Sequence, residues 1–206
     1  MAALDDVLAP DDWVDVLAAL GRGGLVVVPT DTVYGVGGLV SHAGAVDTLF
    51  RLKGRDRTKP IAVLVADADQ ASEIAVFGPV SRRLAERFWP GGLTLVVPRA
   101  NGFDARLGGE RSTVGIRCPH HDGLRNLLAR SGPLAVTSAN LAGRPTPSTA
   151  AEIAEVFGAQ VDAVVDGGTL AGLASTVVDC CGSVPEVLRE GPVSREHLRA
   201  AVQDLL

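Results

Sequence analysis

Aromatic residues are scarce in this 206-residue chain, at 4%, with 1 Tyr and 2 Trp. A core must therefore be filled by Ala, Val and Leu, and the 47% hydrophobic content is sufficient for one domain of this length. Cysteine is scarce too. Cys118, Cys180 and Cys181 form an odd set with no Cys-x-x-Cys pair and no histidine at ligand spacing, which excludes a disulfide framework and a thiolate zinc site. No apolar run approaches the ~20 residues of a membrane helix. The opening Met-Ala-Ala-Leu-Asp-Asp lacks the basic-then-apolar pattern of a secretory signal, so a soluble, cytoplasmic protein is expected. Positive charge is in deficit: the net charge is −5, which argues against a broad surface for nucleic-acid backbone while leaving a local basic pocket open. There is no Walker loop, no His-rich metal site and no sequence motif pairing a nucleophile with its base. No repeat, charge block or Gly/Ser-rich linker divides the sequence, and one continuous domain over residues 1–206 is expected.

What is present is a regular alternation of short apolar runs and amphipathic segments. Leu25–Val28, Ile61–Val65, Leu93–Val97, Val114–Ile116, Leu134–Val136, Val161–Val165, Thr176–Val178 and Val187–Leu188 are the candidate strands. Helical spacing links Val46, Leu49 and Phe50 in a helix expected to end near Leu52. It recurs over Val80, Leu84, Ala85 and Phe88 behind Pro79. Thr149-x-x-Glu152 is a capping box for a helix closed by Gly158, and Ser194 caps a last helix expected to run from about Arg195 to the C-terminus. The pattern predicts an α/β fold with a mixed or partly parallel sheet, in which strands near Leu93–Arg117 and Val161–Leu188 can pair antiparallel. Ligands in such folds sit in loops beyond strand ends.

Five segments place polar chemistry at such ends. Pro29-Thr30-Asp31-Thr32-Val33-Tyr34-Gly35 follows a strand, and taken alone it reads as a turn closed by side-chain to backbone bonds. Lys53-Gly54-Arg55-Asp56-Arg57-Thr58-Lys59-Pro60 puts four cations within seven residues after a helix. It reads either as a solvated cap, with Asp56 neutralising an arginine, or as a phosphate site where Arg forks two oxygens. In Ser112-Thr113-Val114-Gly115-Ile116-Arg117, Thr113, Gly115 and Arg117 share one strand face; Arg117 either reaches a surface carboxylate or docks a ligand's carboxylate in the room beside Gly115. Leu134–Val136 releases Thr137, Ser138 and Asn140 into a loop, and Ser175 and Arg189 flank the last strands. His120-His121 precede a helix and read as surface or capping residues, Cys118 reads as a buried thiol, and Cys180-Cys181 have no assigned role.

Together the segments resemble the YrdC-like family of threonylcarbamoyl-AMP synthases, in its short single-domain form. The resemblance rests on Pro-Thr-Asp-Thr-Val-Tyr-Gly at 29–35, Lys-Gly-Arg…Lys-Pro at 53–60, Phe88-Trp89-Pro90-Gly91-Gly92-Leu93-Thr94, Ser138-Ala139-Asn140 and Ser175-Thr176-Val177-Val178-Asp179. It covers about residues 25–192. It implies an open YrdC-like (RibB-like) α/β fold, a twisted mixed sheet with helices packed on it around a concave basic pocket.

The implied activity is condensation of L-threonine, bicarbonate and ATP to threonylcarbamoyl-adenylate and pyrophosphate, for threonylcarbamoyladenosine at position 37 of tRNA. ATP enters as a substrate, Mg²⁺ is expected to assist, and a tRNA threonylcarbamoyl transferase complex is the expected downstream partner, with weak tRNA contact allowed. Carried onto this sequence, Lys53 and Arg55 are the expected catalytic cations. Arg55, Lys59, Thr113, Ser138, Asn140, Thr146 and Arg189 match nucleotide contacts, and Thr32, Arg117, Val136 and Ser175 match threonine contacts. No metal ligands are expected among the side chains. Leu64 departs from relatives with histidine there. Two rivals stand beside this reading: a tRNA or double-stranded RNA binding module without turnover, which the acidic charge disfavours, and a carbamoyl-adenylate former of hydrogenase maturation, whose zinc-finger and acylphosphatase-like segments are missing.

Overall fold

A computed structural model describes residues 7–8, 13–170 and 172–205. Val7–Leu8 forms β1 and Trp13–Gly21 forms α1, whose Val16, Ala19 and Leu20 recur at helical spacing and are buried. Val26–Val28 is β2, and Pro29 ends it because proline has no amide for the ladder. Gly35–Leu39 is β3, a strand the apolar pattern did not predict. Its glycines answer to packing: a Cβ on Gly37 would stand 2.3 Å from the Ala135 carbonyl oxygen, and one on Gly35 2.6 Å from Val136.

Ala43–Lys53 is α2, one residue longer than expected, closed by Gly54 at φ 54° in the left-handed region. Ala62–Leu64 is β4; Ala68–Ile74 is α3, an unpredicted helix capped by Asp67, which accepts from the Gln70 amide; Pro79–Phe88 is α4. Leu93–Pro98 and Thr113–Arg117 are β5 and β6, Asp122–Ser131 is α5, and Leu134–Ser138 is β7. Both halves of the capping box form at Thr149 and Glu152 and open α6, Ala150–Phe157. Ala163–Val165, Thr176–Asp179 and Glu186–Arg189 are β8, β9 and β10. The last helix, α7, spans Arg195–Val202 and stops short of the expected C-terminal end.

The described strands join one mixed sheet in the order β1-β8-β2-β3-β7-β4-β6-β5-β9-β10. β5 pairs antiparallel with β6, and β9 with β10, as expected. β8 departs from the expected antiparallel group: it lies between β1 and β2, parallel to both, on the far side of the sheet from β9. β8 supplies Val164 to the core on one sheet face and Val165 to the core on the other.

The two faces are covered unequally. On one, Val46, Leu49, Phe50, Leu84, Ile153, Phe157, Leu198 and their neighbours from α2, α3, α4, α6 and α7 pack on alternate strand residues such as Val63, Leu95 and Ile116. On the other, among the described residues, only α1 and α5 pack, and they reach β8, β2 and parts of β3, β7 and β4. The second face over β6, β5 and β9 has no helix in that cluster, and the cavity described next lies there. No helix of the described residues is long and apolar enough to cross a membrane.

Candidate active site

The uncovered face is the floor of a cavity of about 460 Å³. Period-two alternation puts Thr113, Gly115 and Arg117 of β6 on it, with Thr94 and Val96 of β5, Ala62 and Leu64 of β4, and Val136 and Ser138 of β7. The walls come from the β2–β3 connection, the loop after α2, Ser175 before β9, and Arg189 of β10. Thr113 and Arg117 are four residues apart on one strand, so the two ends of the floor are separated by about 13 Å.

Arg117 anchors one end. It is buried, at 6% exposure. Its Nε donates to the Gly91 carbonyl at 2.9 Å, Nη1 to Thr32 Oγ1 at 2.8 Å, and Nη2 to Asp31 Oδ1 at 2.5 Å. Burial lowers the pKa of the guanidinium, Asp31 opposes that shift, and nearby Arg189 adds to it. The heptad is therefore both turn and site: Thr30 Oγ1 accepts from the amides of Thr32 and Val33 at 3.1 and 3.2 Å, and the turn so fixed presents Thr32. Ser175 Oγ lies 2.8 Å from Thr94 Oγ1, and Arg189 donates to both the hydroxyl and the carbonyl of Ser175, at 3.2 and 3.0 Å. Val136 lines the middle of the floor, level with Ala62 and Gly115.

The other end carries Arg55, Lys59, Thr113 and Ser138. Arg55 donates to the carbonyls of Lys59 and Pro60 at 3.0 and 2.8 Å, so its own loop holds it in place. The neutralisation by Asp56 that the solvated-cap alternative requires is absent: Asp56 accepts from the Thr58 amide at 2.8 Å, and the loop's Arg57 pairs instead with Asp47 at 2.6 Å. Asp56 is committed to a tight local turn, so its carboxylate has no reach to an arginine.

Three expected contacts do not line the cavity. Lys53 is buried behind it, and its Nζ donates to the Ser138 carbonyl at 2.7 Å, to Asn140 Oδ1 at 2.7 Å and to the Asn140 carbonyl. Burial, with Arg55 adding repulsion, pulls this ammonium down to about 8. Asn140 is occupied by Lys53 and by Ser138 Oγ at 2.6 Å, and its amide donates to the Arg144 carbonyl. Thr146 sits in the loop beyond, outside the lining. Conversely, Thr94 and Arg99 line the cavity without having been named as site residues. Arg99 donates to the carbonyls of Thr113 and Ala105 at 2.8 and 2.6 Å. Only the β5–β6 pairing of Pro98 with Thr113 brings it there, a register no local pattern reveals.

Charge is concentrated in this cavity. Arg55, Lys59, Arg99, Arg117 and Arg189 line it, and no Asp or Glu among the described residues does, in a chain of net charge −5. Among the described residues, Arg117 is the only one of these with a carboxylate at ion-pair distance. The arrangement can hold a polyanion at one end and a small carboxylate at the other. Cys118 contributes no nucleophile: its thiol is buried, donates to the Ala66 carbonyl at 3.2 Å, and is pushed up to about 11 by burial. His121 caps α5 by accepting from the Leu124 amide at 3.2 Å. Among the described residues no His, Cys, Asp and Glu side chains gather in a group fit to hold a metal ion.

The chain is similar to known proteins. The threonylcarbamoyl-AMP synthase of Bacillus subtilis is 36% identical over 203 residues, covering 96% of this chain and 59% of that protein. A putative threonylcarbamoyl-AMP synthase of Mycobacterium tuberculosis is 41% identical over 187 residues, covering 90% of this chain and 86% of that one. The crystal structure of Pyrococcus abyssi Sua5 complexed with L-threonine superposes with a TM-score of 0.86 at 35% identity, over 91% of this chain and 56% of that one. The chain thus spans well under two thirds of the Bacillus and Pyrococcus proteins. A sequence profile for Sua5, YciO and YrdC, described as Telomere recombination, matches residues 18–191, and with these identities it shows that the chain belongs to the Sua5/YciO/YrdC family.

Proposed function

We propose that this chain is a threonylcarbamoyl-AMP synthase, a nucleotidyltransferase that condenses L-threonine, bicarbonate and ATP. The observation that carries the reading is the two-ended cavity, with a carboxylate-free cation cluster at one end and the anchored Arg117 fork about 13 Å away. In this reading Arg55, Lys59, Thr113, Ser138 and Arg189 contact ATP, while Thr32, Arg117, Val136 and Ser175 hold threonine. Lys53 and Asn140 act from behind by fixing the Ser138 loop, and Thr146 flanks the nucleotide. The names of the relatives support this reading.

The threonine amine attacks the carbon of bicarbonate, and loss of water leaves a carbamate. A carbamate oxygen then attacks the α-phosphorus, the bond to the β-phosphate oxygen breaks, and pyrophosphate departs with the electron pair. Both partners are anions, so the work of the site is neutralisation and alignment, and a strong base is not needed. Arg55 and Lys59 meet the charge that develops on the leaving pyrophosphate. Each charge-assisted hydrogen bond contributes about 1.5–3 kcal/mol, which corresponds to roughly ten- to a hundredfold in rate. The lining offers hydroxyls and no carboxylate, a donor set that does not hold Mg²⁺ by itself; such an ion would arrive on the phosphate oxygens, and no step here runs through it.

The product would serve a tRNA threonylcarbamoyl transferase complex acting at position 37 of tRNA in the cytoplasm, and the whole chain is read as one domain of this family. The deciding experiment supplies purified protein with ATP, labelled bicarbonate and a panel of amino acids. An acid-labile adenylate and pyrophosphate that form with threonine alone are expected. Salt-sensitive RNA binding without pyrophosphate release would overturn the reading in favour of an RNA-binding module.

A further inference from the structure

The two ends of the cavity differ in how their charge is balanced. Arg55, Lys59 and Arg99 have no carboxylate at ion-pair distance among the described residues. Arg117 does: Asp31 lies 2.5 Å from it, with the side chains 7% and 17% exposed. Asp31 does not itself line the cavity. It stands beside Arg117, held from the other direction by the His120 amide, which donates to the same Oδ1 at 3.0 Å.

The donor count of Arg117 decides what this end can accept. A guanidinium has five N–H groups. One on Nε is used by Gly91, one on Nη1 by Thr32 and one on Nη2 by Asp31. One N–H on each terminal nitrogen remains, enough to fork a single carboxylate. A terminal phosphate carries about two negative charges and would profit most from an unbalanced cation. Arg189 is within electrostatic range of both Arg117 and Arg55 and so stands between the ends; at the far end Arg117 is a full positive charge without Asp31 and a neutral pair with it. In a partly buried site that difference is large enough to sort ligands by charge.

We propose that Asp31 is a positioning residue that sets specificity: by balancing Arg117 it reserves this end for the carboxylate of an amino acid and confines phosphate groups to the Arg55–Lys59 end. The inference rests on the threonine-and-ATP reading above. Asp31 touches neither substrate in this scheme and acts only through Arg117.

The test is calorimetric competition between L-threonine and inorganic pyrophosphate on the whole protein. For the unaltered protein, saturating pyrophosphate should leave the threonine dissociation constant unchanged within about twofold. Displacement of threonine by pyrophosphate there would overturn the inference whether or not any variant folds. Asp31→Asn keeps an oxygen for Arg117 and for the His120 amide and removes the charge. In it, pyrophosphate should weaken threonine binding by about tenfold or more, and KM for threonine should rise with pyrophosphate while kcat holds. Asp31→Glu should restore the original pattern. If Asp31→Asn folds and raises the threonine KM, yet pyrophosphate still competes only with ATP, Asp31 is merely structural and the inference fails alone. If the unaltered protein binds pyrophosphate but no threonine, the substrate reading fails and this inference with it.

Discussion

Lys53 Nζ stands 2.7 Å from Asn140 Oδ1, so the end of α2 is pinned to the exit of β7 beneath the Arg55–Lys59 end of the cavity. Removing Asn140 leaves a buried ammonium one acceptor short, which costs about 1–3 kcal/mol. Asn140→Ala should therefore lower the unfolding free energy by that amount and raise KM for ATP, through a loosened Ser138 loop, more than KM for threonine. Denaturant titration and initial rates with each substrate check both halves.

The same lysine gives a pH dependence with opposite signs for activity and stability. Its folded value of about 8 lies below the ordinary 10.5, so between the two the unfolded chain binds the extra proton and this group's contribution to stability rises with pH. Activity should move the other way. A neutral amine has two N–H groups for the three oxygens that Lys53 now serves, so turnover should fall through an alkaline limb centred near pH 8. A pH–rate profile paired with melting temperatures reads both trends.

Arg55→Ala should reduce threonine-dependent pyrophosphate release by roughly ten- to a hundredfold while leaving the circular dichroism unchanged. The Arg55 side chain spans a loop and supports no core cluster, so its loss should be felt in the ATP dependence. Near-native turnover by a folded Arg55→Ala protein would contradict the assignment of this end to phosphate.

Gly115 lies midway along the floor, and a Cβ there would meet Thr94, Ala62 and Val96 side chains at ordinary distances of 3.5, 3.8 and 3.9 Å. Gly115→Ala should stabilise the fold by about 0.4–1 kcal/mol through the unfolded chain. It should lower kcat as the methyl enters the path between the two substrates. A melting curve that rises while turnover drops is the expected signature.

The three thiols should be unreactive in the native protein. Burial holds Cys118 near 11 and Cys180 near 12, and Cys181, although exposed, is held near 11 by partial burial and Asp179. A shift of about two units lowers the thiolate fraction at neutral pH by about a hundredfold. Labelling with iodoacetamide at pH 7.5 should be slow, and should become fast at all three positions in denaturant.

Much of the fold is written locally. Pro29, Pro79, the Thr149–Glu152 box and Ser194 mark boundaries that the structure keeps, because capping and proline chemistry act within a turn of chain. β3 escaped because Gly35-Val36-Gly37-Gly38 has little strand propensity and is demanded by its pairing with β2 and β7 and the closeness of its neighbours. α3 escaped because only Ala71 and Ile74 give it a buried face.

The sequence by itself determined which side chains are available at strand ends: Thr32, Arg55, Lys59, Thr113, Arg117, Ser138, Ser175 and Arg189, all of which line the cavity. The tertiary structure alone decided how they are grouped. It withdrew Lys53 and Asn140 behind the wall, brought Arg99 to Thr113, and set Asp31 against Arg117. The reason is physical: strand register and the packing of α1 and α5 over only part of one face are set by pairings distant in sequence. A shift of one residue would turn Arg117 from the cavity into the core.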